Sequence, residues 1–167
     1  MNKIEIFLRR RIQHYNAKKY WKLRARVMGK NKYPKWLKYF WLMYIKKCDA
    51  FNGASLGTYL GHGAVFETPP SLPHGLYGII VSQNARIGKN ARIMHQVTIG
   101  EDEEGAPTIG DNVFIGAGAK ITGKIRIGNN VKIGTNCVVF QDIPDNATVV
   151  MQKPRIIVRE EPPQGEE

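Results

Sequence analysis

Isoleucine recurs every six residues from Ile87: Ile87, Ile93 and Ile99, then after a four-residue slip Ile109, Ile115, Ile121, Ile127 and Ile133, with Val139 closing the series. Four residues after most of these comes a second apolar residue: Ala91, Val97, Val113, Ala119, Ile125, Val131, Cys137 and Ile143. A glycine often follows the isoleucine directly, as at Gly88, Gly100, Gly110, Gly116, Gly128 and Gly134. A period of six fits neither an amphipathic helix nor a long strand, whose side chains repeat every ~3.6 and ~2 residues. It fits short strands with a turn at every hexad, each pointing its first and fifth residues inward. Three hexads close one triangular coil, so residues 18 apart stack at roughly the ~4.8 Å spacing of paired strands. The expected fold is mostly β: a parallel β-helix of hexapeptide repeats behind a short N-terminal α-helical segment.

The polar positions agree with this reading. Asn90, Asn112 and Asn130 fall in one column once the slip is counted. Asparagine tolerates the left-handed backbone that a repeated tight corner needs. Asn84, Gly118 and Asn136 are expected at equivalent turn positions. Upstream the register fades. Leu56-Gly57 and Leu60-Gly61 read as an imperfect first coil, and Pro69, Pro70 and Pro73 mark an irregular crossing before Ile79. The slip at Glu101–Pro107 reads as an acidic excursion from one corner.

Before the repeat the pattern turns helical. Tyr33–Cys48 is expected to form a helix, with Pro34 in its first turn and Trp36, Leu37, Phe40, Trp41, Tyr44 and Ile45 on one stripe. Lys46 and Lys47 suit its C-terminal end. Residues 3–27 place Ile4, Phe7, Leu8, Ile12 and Tyr15 at similar spacing, around Arg9, Arg10 and Arg11.

Charge separates the two regions further. Residues 1–50 hold 15 of the 25 Lys and Arg against only Glu5 and Asp49, a net of +13, and 10 of the 16 aromatics. Residues 51–167 are nearly balanced, at −2. The expected division is a basic aromatic helical leader over 1–50, a β-helix domain over 51–158 and a disordered tail over 159–167. The leader reads first as a cap on the open coil that also packs between subunits. Peripheral contact with an anionic membrane surface is the second reading. No nucleic-acid motif accompanies the charge, so nucleic acid is not an expected partner. Cys48 and Cys137 stand far apart and in no ligand spacing, so neither a metal site nor a disulfide framework is expected. Charge interrupts every apolar run near the N-terminus, and the expected location is cytoplasmic.

The run HGLYGIIVSQNARIGKNARIMHQVTIG, followed by PTIGDNVFIGAGAKITGKIRIGNNVKIGTNCVVFQDIPDNATVV, resembles the serine O-acetyltransferase branch of the hexapeptide acyltransferases. That branch includes enzymes that O-acetylate capsular or exported sugars. The resemblance covers roughly residues 56–158 and implies a left-handed β-helix, a homotrimer, and acetyl-CoA as co-substrate in a groove between subunits. It also implies that His74 is the catalytic base. An imidazole suits proton removal from a hydroxyl because its ordinary pKa lies near neutrality. No nucleophile motif surrounds Ser71 or Cys137, so no covalent enzyme intermediate is expected. His95, at an outward corner position above Ala117 and Thr135, is the second catalytic candidate. The resemblance places the coenzyme along the backbone at Ala117 and Thr135, with Lys120, Lys132, Lys153 and Arg155 as candidates for its phosphates.

Three departures from the serine enzymes bear on the acceptor. Those enzymes set an Asp upstream of the catalytic His, but no Asp lies between Ala50 and Pro73, leaving Glu67 or His62 as the substitute that orients His74. Gly105-Ala106 stands where they carry an Arg-His pair that holds the amino acid. The short leader replaces their large helical domain. The expected acceptor is therefore a glycan or glycan-precursor hydroxyl, with free serine as the alternative small hydroxyl-bearing acceptor. A non-catalytic β-helix assembly protein is the third reading.

Overall fold

The computed structural model describes residues 12, 14–29, 33–153 and 155–157. Among the described residues, helices α1 (Ala17–Met28) and α2 (Lys35–Phe51) lead into the repeat. Twelve short strands follow: β1 (Val65–Phe66), β2 (Ile80–Val81), β3 (Arg86–Ile87), β4 (Arg92–Ile93), β5 (Thr98–Gly100), β6 (Thr108–Ile109), β7 (Phe114–Ile115), β8 (Lys120–Thr122), β9 (Arg126–Ile127), β10 (Lys132–Ile133), β11 (Val138–Val139) and β12 (Thr148–Val149). They form three four-stranded sheets in the orders β1-β3-β6-β9, β2-β5-β8-β11 and β4-β7-β10-β12, every pair parallel. These sheets are the three faces of a left-handed β-helix, and its three-faced coil is the one that the period of six predicts.

The register follows the isoleucines. Ile93 pairs with Ile115 and Ile115 with Ile133, while Ile99 pairs with Ile121 and Ile121 with Val139. Ile87 pairs with Ile109 across the slip, so the extra residues leave the coil as a loop after β5. The isoleucines of the six-residue series, from Ile87 to Ile133, are at most 2 % exposed. Each contributes roughly 1.5–3 kcal/mol of apolar burial. A glycine follows the inward isoleucine because successive coils approach closely there. A Cβ on Gly116 would stand 2.7 Å from the Gly134 carbonyl carbon and the Thr135 nitrogen.

Asn90, Asn112 and Asn130 all take φ 57°, and their amides form a ladder: Asn90 Nδ2 donates to Asn112 Oδ1 (3.1 Å) and Asn112 Nδ2 to Asn130 Oδ1 (3.1 Å). Asn146 (φ 62°) extends it, accepting from Asn130 Nδ2 at 3.0 Å. A second corner takes left-handed backbone at Gln96, Gly118 and Asn136. Asn84 keeps ordinary backbone; its amide instead donates to Glu101 (2.6 Å) at the base of the acidic loop. The first coil is irregular, as expected. It is held by bridges from Ser55 to Ile80 and Ser71 to Arg92 and by the β1–β3 pair.

The observed α2 runs a turn beyond the expected Tyr33–Cys48 helix, so Lys46 and Lys47 do not occupy its last turn, and Pro34 is its cap residue. Its six expected stripe residues do not share one environment. Ile45 is buried and Leu37, Trp41 and Tyr44 half-buried, whereas Trp36 and Phe40 face outward. Six residues cover too wide an arc for one neighbouring helix to bury. Ile4, Phe7, Leu8 and Arg9–Arg11, and the tail 159–167, lie outside the described residues.

α1 closes the open end of the β-helix. Arg24, 5 % exposed, donates from Nε to Thr58 Oγ1 (2.9 Å) and from its terminal nitrogen to the carbonyls of Leu56 (3.1 Å) and Ala64 (2.6 Å). Trp21 packs edge-on to Phe66 at 5.1 Å, and Gly61 N–H donates to Val27 O. Tyr20 OH donates to Asp49 Oδ1 (2.7 Å), tying α1 to α2. Among the described residues, no helix is long and apolar enough to cross a membrane.

Candidate active site

The corner between β4 and β5 carries His95. Residues above and below it stack through the backbone: Gln96 N–H donates to Tyr77 O, Gly118 N–H to His95 O and Asn136 N–H to Ala117 O, at 2.9, 3.0 and 2.8 Å. Tyr77, His95, Ala117 and Thr135 therefore form one column, as the repeat arithmetic expects. Ala117 and Thr135 present only small side chains below His95. Gly134 N–H donates to Val149 O, so the chain leaves the β-helix at the foot of this corner, carrying the exposed Lys153 and Arg155 onward.

His74 comes to the same corner from an irregular turn at 73–78 that stands in place of a regular hexad. The turn ends with Gly78 at φ 65°, where the chain re-enters the coil, and Gly78 N–H donates to Asn52 O at the end of α2 (2.9 Å). The imidazoles of His74 and His95 meet edge to face, centroids 4.9 Å apart and planes at 78°. Tyr77 lies 6.5 Å from the His95 ring. Ile12, Phe51, Asn52, His74, Tyr77 and His95 enclose a cleft of about 410 Å³. His74 is exposed in it, while His95 is half-buried, its Nδ1 buried and without a hydrogen-bond partner among the described residues.

That orphan nitrogen has a chemical consequence. A proton on Nδ1 would be a buried donor without an acceptor, which costs more than a lone pair left alone. That arrangement favours the His95 tautomer with the proton on Nε2, which makes His95 a candidate hydrogen-bond donor and the exposed His74 a candidate base.

The other expected residues divide between this corner and the rest of the surface. Lys120 extends along the same corner, its Nζ donating to Gln96 O (2.8 Å). Lys132 projects outward from β10, between Phe114 and Thr148 on the neighbouring coils. Glu67 is not brought to His74. It lies at the Asn90 corner, where its backbone pairs with Ile87 and its carboxylate faces Lys89 Nζ at 3.9 Å. His62 is likewise elsewhere, stacked on Tyr59 at 5.3 Å. The stretch before His74 has turned a corner between Glu67 and Pro73, which places a residue seven positions upstream on another face. Among the described residues, no three His, Cys, Asp or Glu groups are arranged to hold a metal ion.

Phe51 and Asn52 are site-lining residues that the sequence pattern did not single out, because the expected helix stops at Cys48, just short of them. The signal was their position at the junction of leader and repeat, where a helix end must meet the first coils.

Residues 106–141 match the family model for bacterial transferase hexapeptide (six repeats). A serine acetyltransferase of Mycobacterium tuberculosis is 35 % identical over 119 residues, covering 69 % of this chain and 52 % of that protein. Among solved structures, serine acetyltransferase isoform 3 of Entamoeba histolytica in complex with cysteine superposes with a TM-score of 0.62 at 32 % identity, over 72 % of this chain and 43 % of that one. The Neisseria gonorrhoeae serine acetyltransferase in complex with serine gives 0.60 at 33 % identity, over 81 % and 54 %. The chain thus spans about half the length of the relatives it matches.

Proposed function

The chain belongs to the hexapeptide-repeat transferases, with serine acetyltransferases among its homologues, and from that premise we propose that it is an acetyl-CoA-dependent O-acetyltransferase. The observation that carries the reading is the His74–His95 pair standing over a column of small residues at one corner. Acetyl-CoA lies as co-substrate along Ala117 and Thr135, with Lys120, Lys132, Lys153 and Arg155 toward its phosphates. The acceptor hydroxyl enters the cleft beside His74. His74 takes the hydroxyl proton as the oxygen attacks the thioester carbonyl, and His95 donates Nε2–H to the oxygen that becomes negative. Collapse forms the acetyl ester and breaks the carbon–sulfur bond. The proton held by His74 passes to the departing thiolate, giving free coenzyme A. A homotrimer supplies the neighbouring wall of the groove.

Serine is the acceptor to which the relatives point, and they favour it over the sugar hydroxyl expected from the departures in the sequence. One observation keeps the sugar as a second reading: among the described residues, the six that line the cleft include no Asp, Glu, Lys or Arg. Among these described residues no full charge of fixed sign faces the carboxylate or ammonium of an amino acid, whereas the Phe51 and Tyr77 rings suit an uncharged polyol.

A coenzyme A release assay across serine, simple sugars and oligosaccharides separates the two. His74→Ala should lower turnover ~10²–10⁴-fold on the true acceptor with acetyl-CoA affinity retained. Wild-type turnover in that variant would refute the mechanism.

A further inference from the structure

α2 packs on α1 and the first coil through Trp41, Tyr44, Ile45 and Cys48, which are buried or half-buried. Its opposite side is covered by nothing in the chain's described residues. There Trp36, Tyr39, Phe40 and Met43 are 71, 57, 62 and 49 % exposed. Trp36, Phe40, Met43 and Lys47 follow one another at four-, three- and four-residue steps, so they form a single stripe along the helix. Four large apolar side chains on one face exceed the scattered exposure that needs no explanation. Beside the stripe, Lys19, Leu23, Phe40, Trp41, Met43, Tyr44 and Lys47 enclose a groove of about 370 Å³, with exposed lysines at its edges and apolar groups within.

The electrostatics restrict what covers this face. Lys18, Lys19, Lys22, Lys35 and Lys47 are exposed on the two helices, and the sole acidic residue of 14–51, Asp49, is 3 % exposed. A second copy presenting the same face would set lysine against lysine. An anionic bilayer meets both demands together. Its headgroup layer takes Trp and Tyr rings at the boundary with the acyl chains, and its surface charge attracts lysines that lie in the plane.

We propose that the outer face of α2, with the groove beside it, docks on an anionic phospholipid surface. The helix would lie along the surface with Trp36, Phe40 and Met43 at acyl-chain level and Lys19 and Lys47 among the phosphates. Its other end carries Phe51 at the catalytic cleft, so docking holds that cleft within about 20 Å of the membrane.

The test uses full-length protein and vesicles of phosphatidylcholine with or without phosphatidylglycerol. Sedimentation should require phosphatidylglycerol and weaken as salt rises. Tryptophan emission should move to the blue on binding, and Trp36→Phe should lose most of that shift, since Trp21 and Trp41 are already half-buried. Trp36→Ser with Phe40→Ser should cut vesicle affinity by about ten-fold or more, as should Lys19→Glu with Lys47→Glu. Light scattering should show each pair of variants in the wild-type oligomeric state. Wild-type protein that ignores anionic vesicles at low salt would overturn the proposal. So would serine variants that bind as well as wild type. Serine variants that fall apart into smaller species would assign the stripe to contact between copies and overturn it too. None of these readouts depends on the acetyl-transfer reaction.

Discussion

Arg24 is the chain's main tie between its helical leader and its repeat, and its removal should be among the most destabilising single changes outside the isoleucine stack. The guanidinium spans Thr58 Oγ1 and the carbonyls of Leu56 and Ala64, and lies 4.9 Å from the Phe66 ring. Burial lowers its pKa to about 10, so the group carries a real desolvation cost that its three acceptors offset. In Arg24→Met the flexible stem refills much of the volume, but two buried carbonyls and a hydroxyl lose their donor. Each orphaned carbonyl costs roughly 1–3 kcal/mol, and the relief of no longer burying a charge returns part of that. The expected net loss is about 3 kcal/mol. Arg24→Lys should recover little, since an ammonium cannot span three acceptors as the planar fork does. Urea unfolding at one fixed protein concentration measures the loss. Hydrogen exchange at Gly61, whose amide donates to Val27 O, should rise in parallel as α1 loosens from the coil. A loss below about 1 kcal/mol with Gly61 still protected would mean that apolar packing, and not this arginine, closes the β-helix.

Three further outcomes are expected. Burial raises the Asp49 carboxyl from 3.8 to about 6 despite the Tyr20 hydroxyl, Lys46 and Arg24, so the folded chain holds this proton more tightly than the unfolded one. Its contribution is therefore greatest below about pH 4 and is lost as pH rises through 6, by up to about 3 kcal/mol, and Asp49→Asn should flatten that segment of a stability–pH curve. Ala117→Trp or Thr135→Trp should abolish acetyl-CoA binding in calorimetry while leaving the unfolding midpoint nearly unchanged, because both side chains point away from the isoleucine stack; intact binding in both would move the coenzyme elsewhere. Light scattering should give three chain masses in solution, and a stable monomer at working concentration would remove the shared groove.

The repeat was legible because its physics is local and periodic. Each hexad needs one inward branched residue, one small inward partner and one corner residue able to take left-handed backbone, and those demands leave marks every six positions. The Asn90–Asn112–Asn130 ladder follows from that arithmetic, and so does the column of His95, Ala117 and Thr135. Where the period breaks, sequence distance stops reporting spatial distance. Glu67 and His74 are seven residues apart, yet a corner between them sends one to Lys89 and the other to His95. Gln96 escaped notice as a corner residue because glutamine has no intrinsic preference for positive φ; its neighbours on the coils, Gly78 and Gly118, supply the geometry that it adopts.

The leader posed the opposite difficulty. Its stripe of six apolar residues predicts a helix correctly but cannot say which of them meet a neighbour. That depends on where α1 lies, and α1 is set by Arg24 and Tyr20 reaching polar partners in α2 and the first coil. Once those bonds orient the pair, Trp41, Tyr44 and Ile45 turn inward, and none of the described residues covers Trp36 and Phe40. The same bonds aim the end of α2 at the cleft, where Asn52 O accepts Gly78 N–H and Phe51 lines the space beside His74. Leader and repeat are thus coupled twice, through Arg24 of α1 and through the C-terminal end of α2. A substitution that loosens α1 should disturb the cleft as well as the fold, and Arg24→Met should lower turnover before it unfolds the chain.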